Sequence, residues 1–159
     1  MPEAAVSLDA ATLVLFGLRW FHFIFGIIWI GLLYFFNFVN GPFAKTMDAG
    51  TKKLVVPQLM PRALWWFRWG AMITFLTGWS YIYGKLHLNA RPMSDLFTTT
   101  WGNWIGLGAL MGSIMWFNVW FIIWPIQKRI ITSVKTGQAP ADLQAITRRA
   151  FLASRLNTY

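Results

Sequence analysis

Cysteine is absent from all 159 residues. Disulfides, iron–sulfur clusters, thiolate zinc sites, thiol catalysis and a CxxCH haem attachment are excluded with it. Carboxylates are nearly as scarce, being Glu3, Asp9, Asp48, Asp95 and Asp142 alone. None sits in a long apolar run and no two are spaced as an acid–base pair, so hydrolytic chemistry has no obvious carrier. No glycine-rich loop follows a strand signal. The G-x-G-x-x-x-G of Gly106, Gly108 and Gly112 lies in an apolar run and reads as helix packing rather than a phosphate cradle. Internal repeats and low-complexity tracts are missing as well.

What is present is apolar and aromatic. Hydrophobic residues make up 57% of the chain and tryptophan alone accounts for 11 positions, which is too much for an ordinary soluble domain. The net charge of +9 raises the question of nucleic acid, and the placement of the 14 basic residues answers it. Arg19, Lys85 and Arg91 flank one side of the apolar runs; the remaining basic residues, from Lys45 to Arg155, flank the other. That asymmetry is the positive-inside pattern of a membrane protein, not a nucleic-acid stripe.

The expected architecture is an all-α integral membrane protein, a single membrane domain over residues 1–159. Three transmembrane helices are expected at about 11–39, 62–84 and 101–124, with an amphipathic, interfacial helix at about 140–155. The N-terminus carries Glu3 and Asp9, no basic region and no cleavage signal, so the first span is expected to stay uncleaved with its acidic end outside. Gly41-Pro42 reads as a turn, and residues 41–61, with three lysines and three prolines, as a cytoplasmic surface segment. Trp65, Trp66 and Trp69 read as an aromatic belt, with Arg68 snorkelling nearby. The implied place is the bacterial cytoplasmic membrane, with the lipid bilayer and other membrane subunits as partners and no nucleic acid.

Candidate residues follow from the cost of polarity in a span. Gly70, Thr74 and Gly78 form one small-residue face, Gly102 and Gly106 a second, Gly108 and Gly112 a third, each suited to close helix contact. Asn118, deep in the third span, needs a partner across a helix interface. Met111 and Met115 are one turn apart, but two thioethers without a third soft ligand read as core filler. His22 stands in the first span with Arg19 one turn outward and Gly26 one turn inward. A neutral imidazole there is a suitable axial ligand for haem b, Arg19 could pair with a propionate, and Gly26 could admit a flat macrocycle. A histidine hydrogen-bonded to a neighbouring helix accounts for the same residues. His87, just past its helix, reads as a solvent-facing loop histidine.

Four segments, LRWFHFIFGIIWIGLLYFFNFV, PRALWWFRWGAMITFLTGW, IMWFNVWFIIWPIQKRI and RRAFLASRLNTY, taken in this order, resemble the urate oxidase N-terminal membrane domain. In bacterial membrane-bound urate hydroxylases this domain precedes a cytochrome c module. Arg19, Trp20, His22, Trp29 and Gly31 are also similar to a pattern in other small haem-associated membrane families. The resemblance implies His22 as a haem ligand and a role in electron transfer. The sequence departs from the family in having no cytochrome c motif and in stopping where a further apolar span follows in relatives. Urate oxidation by this chain alone is therefore not expected. The other reading is a cofactor-free structural or accessory subunit that stabilises a larger membrane complex.

Overall fold

The computed structural model describes residues 9–89 and 91–159. Helix makes up 88% of it and no strand occurs among the described residues, in agreement with the all-α expectation. Glu3 and the acidic segment around it lie outside the described residues.

Asp9 starts the first helix by accepting a hydrogen bond from the Thr12 amide at 2.8 Å, satisfying one of the orphan donors of the first turn. Helix α1 (Ala10–Tyr34) passes into a π-helical turn (Phe35–Asn40) and on into α2 (Gly41–Thr46) without leaving the rod. The turn expected at Gly41-Pro42 is therefore not a chain reversal. Proline lacks an amide proton and its ring collides with the carbonyl four residues back, and a wider π turn before it relieves both demands. The same device recurs where α5 (Thr100–Phe117) meets α6 (Trp124–Thr136): a π turn (Asn118–Ile123) stands ahead of Pro125.

The chain reverses at Met47-Asp48 instead. Asp48 accepts from the amides of Gly50 at 2.9 Å and Thr51 at 3.0 Å, opening α3 (Ala49–Leu88) well ahead of Pro57 and Pro61. The segment 41–61 is thus helical almost throughout, correcting the expected surface loop. A proline inside a helix costs about 3 kcal/mol, and the long contact of α3 with α1 offsets it. A short turn, α4 (Asp95–Thr98), leads into α5, and Gly137, at φ +74°, ends α6 in the left-handed conformation that favours glycine.

Two continuous runs, Ala10–Thr46 and Thr100–Thr136, are long and apolar enough to cross a membrane. The expected span at 62–84 lies inside α3, whose first half carries Lys52, Lys53 and Arg62. α3 packs against both runs. Trp29 and Leu33 of α1, Leu64, Phe67 and Ala71 of α3, and Val119 and Ile123 of the second π turn form the buried core. Outside it, Phe21, Ile27, Trp104 and Phe121 are exposed, an outward-facing apolar surface of the kind a bilayer covers.

The helix expected at about 140–155 is present as α7 (Leu143–Leu156). It runs back along α6. Arg129 of α6 grips Asp142, just ahead of α7, in a two-pronged ion pair at 2.7 and 3.0 Å. At the far end, the Asn118 side-chain amide donates to Asn157 Oδ1 at 2.8 Å, and Asn157 donates to the Met115 carbonyl at 3.1 Å. Asn37 of the first π turn donates to Ser154 at 2.7 Å. The face turned to the bundle is small and polar, with Ala150, Ala153 and Asn157 buried and Leu152 and Leu156 exposed.

Both ends of this latch are testable. Asn157→Ala leaves the buried Asn118 side-chain amide without its partner, a loss of about 1–3 kcal/mol, read as a lower midpoint of thermal unfolding. At the other end, the Arg129 hydrogen bond holds the Asp142 carboxyl below its ordinary value of 3.8. A lowered folded-state pKa stabilises above the unfolded value and is lost as pH falls through the folded one. Hydrogen-exchange protection of the first turn of α7 is expected to be flat at neutral pH and to fall only below about 3.8; Asp142→Asn should lower it already at neutral pH.

Candidate functional site

A cavity of about 490 Å³ opens between α1, α3 and α5. This lies within the range of small-molecule and cofactor sites. Its walls include Arg19, His22 and Trp29 of α1, Thr74, Gly78 and Trp79 of α3, and Trp101, Trp104, Gly108 and Gly112 of α5.

His22 is fixed by α3. Its Nδ1 lies 2.9 Å from the carbonyl oxygen of Thr74, an acceptor only, so Nδ1 carries the proton and donates. That carbonyl also accepts the Thr77 hydroxyl at 3.2 Å. That bond selects the tautomer whose Nε2 has a free lone pair, and Nε2 has no hydrogen-bond partner among the described residues. Gly78 makes the approach possible. A Cβ there would stand 2.9 Å from His22 Cε1 and 3.0 Å from Nδ1, so the Nδ1–Cε1 edge rests directly on the α3 backbone.

Two more buried polar atoms on the wall, Trp29 Nε1 and Thr74 Oγ1, lack partners among the described residues. Arg19 lies at the same cavity with its Cζ 6.0 Å from the Tyr81 ring, and no described carboxylate pairs with it. The Trp79 indole donates to Ser113 across the α3–α5 gap at 3.2 Å. Apolar aromatic walls, one oriented imidazole, one unpaired guanidinium and unsatisfied polar atoms suit a flat, largely apolar ligand with an anionic edge.

The glycines divide by role. Gly70 sits in tight helix contact, where a Cβ would come within 3.3 Å of the Phe25 carbonyl and the Trp29 amide. Gly26 also faces α3, where a Cβ would meet Thr74 Cγ2 at 3.8 Å, so it serves the helix contact and is not on the cavity wall. Gly102 and Gly106 pack on the backbone of Asp95 and Leu96, and a Cβ on Gly102 would overlap the Asp95 carbonyl. Gly108 and Gly112 meet nothing within 4 Å. They leave room in the cavity. His87 is exposed, stacks on Tyr83 at 5.9 Å and is remote from the cavity lining. The reading from sequence passed over Trp101 and Trp104. A signal existed, since 101, 104, 108 and 112 follow one another at helical spacing on one face of α5.

Residues 86–159 match the urate oxidase N-terminal family. The match agrees with the resemblance carried by the sequence and spans the end of α3 through α7. Within the urate oxidase N-terminal match lie the α5 wall of the cavity, Ser113, Asn118 and the whole α7 latch. Arg19, His22, Thr74 and Gly78 lie ahead of it. No curated protein and no solved structure matches the chain.

Proposed function

We propose that this chain is a membrane-embedded subunit of a larger membrane complex, and that its cavity holds a haem b that supports electron transfer. The observation that carries the proposal is the His22–Thr74 hydrogen bond, which leaves the second imidazole nitrogen free at an aromatic cavity. Outer-partner hydrogen bonds of this kind orient a ligating histidine and raise its basicity. His22 and Arg19 would hold the group, the imidazole through its free nitrogen and the guanidinium at the anionic edge, while Trp101 and Trp104 would shield it from lipid. A bound haem b supplies one-electron redox chemistry. The residues themselves orient, neutralise charge and exclude water. No side chain of this chain is assigned a catalytic role.

Three crossings of the bacterial cytoplasmic membrane, N-terminus outside, are part of the same proposal. Ala10–Thr46 and Thr100–Thr136 both pack against α3, which connects the far end of one to the near end of the other. At about 1.5 Å per residue, its 40 residues reach some 60 Å, ample to recross the roughly 30 Å hydrocarbon core. The native lack of cysteine makes a labelling test clean. Single cysteines at Thr51, Ser94 and Thr136, probed in intact cells with an impermeant maleimide, are expected to label at Ser94 alone. Labelling at Thr51 or Thr136 would contradict the orientation.

The open glycines Gly108 and Gly112 favour a second reading, in which a partner helix fills the cavity and the chain is a cofactor-free accessory subunit. Visible absorbance separates the two, since a partner helix contributes no Soret band.

A further inference from the structure

The end of the bundle opposite Arg19 and Lys85 holds a cationic cluster that the cavity does not use. Arg68, in α3, is half-buried, with its Cζ 4.1 Å from the centre of the Trp124 ring and 5.1 Å from that of Trp120. Lys128, one turn beyond Trp124 on α6, brings its Nζ within 5.4 Å of the same Trp124 ring. Two cations thus share one indole. Cation–π contact satisfies the flat face of the guanidinium and leaves its edge donors free. Arg68 makes no hydrogen bond to any described residue, and its Nε is buried without a partner.

No carboxylate side chain among the described residues is free for this cluster. Asp9 and Asp48 cap helices, Asp95 lies 3.9 Å from Arg91, and Asp142 is taken by Arg129. Both cations lie within 5.4 Å of the Trp124 ring centre, and positive charge gathered in this way favours a counter-ion. The counter-ion must come from outside. Its surroundings are tryptophan and exposed Phe121, at the end of the apolar run where Pro125 and Lys128 begin the polar helix. This is the depth of lipid headgroups, where basic pockets between helices take anionic lipid.

We infer that Arg68, Trp124 and Lys128 form a binding site for the phosphodiester headgroup of an anionic phospholipid. The guanidinium edge and the ammonium hold the phosphate oxygens, and the indoles of Trp120 and Trp124 border the glycerol and upper acyl chains. The site rests on the membrane embedding proposed above but not on the haem, so a colourless protein would leave it standing.

Native mass spectrometry of the full chain, released from detergent in whatever complex it occupies, tests this. Phosphatidylglycerol, phosphatidylcholine and inorganic phosphate serve as the probes. Phosphatidylglycerol is expected to bind at least about tenfold more tightly than phosphatidylcholine, and inorganic phosphate not to displace it. Lys128→Gln, at an exposed position, should weaken phosphatidylglycerol binding about tenfold with helical content unchanged, and Arg68→Gln should weaken it further. Equal phosphatidylglycerol affinity in wild type and Lys128→Gln would overturn the site. So would equal binding of the two lipids. Displacement by inorganic phosphate at matching concentration would overturn the lipid assignment in favour of a free anion. Should Arg68→Gln fail to fold, the Lys128→Gln comparison decides alone.

Discussion

His22→Ala is expected to abolish the Soret band of the purified protein while leaving its membrane insertion and helical content intact. The substitution removes the one imidazole at the cavity and its bond to the Thr74 carbonyl, a net stability loss of about 1 kcal/mol. A bundle with three packed helices tolerates that. Haem retention, by contrast, depends on the ligand, and occupancy should fall at least tenfold. Arg19→Ala should retain the haem with weaker binding or a shifted potential, because it alters the charge beside the propionates rather than the iron ligand. Absorbance per mole of protein, with circular dichroism as the fold control, reads both. A Soret band of wild-type size in His22→Ala would remove His22 from the site.

Gly70→Leu is expected to have the largest effect on the fold. A Cβ at this position already meets the Phe25 carbonyl and the Trp29 amide at 3.3 Å, and these are backbone atoms that cannot turn aside. Leucine there forces α1 and α3 apart at the centre of the core. Overpacking of this kind costs about 3 kcal/mol, or a thermal midpoint lower by roughly 10 °C in a domain of this size. Gly108→Leu is the matched control. Its Cβ points into open space, so the helix should be no less stable, yet the cavity is partly filled and the chromophore should be lost. A Gly70→Leu protein that melts with wild type would mean that α1 and α3 are not held by this contact.

The helical class and the approximate position of the apolar runs were legible because a bilayer-crossing helix must be long, apolar and flanked asymmetrically by charge. Pro42, Pro57 and Pro61 misled the reading of residues 41–61. A proline is a helix terminator only where nothing else supports the rod, and here a π turn and long tertiary packing do. Helix α7 was legible as a helix but not as a latch, since Asn118 and Asn157 are 39 positions apart and neither announces the other. His22 was visible as an ionisable residue in a span, and Arg19 beside it. The partner that fixes its tautomer is a backbone carbonyl, which no side-chain pattern encodes. The three small-residue faces looked alike in sequence. Whether a glycine admits a neighbouring helix, as at Gly70, an imidazole, as at Gly78, or empty volume, as at Gly108, is decided by what stands opposite.

The central claim is that the cavity beside His22 binds haem b. Its most direct test is the reduced-minus-oxidised absorbance spectrum of the wild-type protein, purified in its full complex from haem-replete cells. A Soret band with the α and β bands of a b-type haem, stoichiometric with this chain and lost in His22→Ala, is the predicted result. A colourless complex containing this chain would contradict the account.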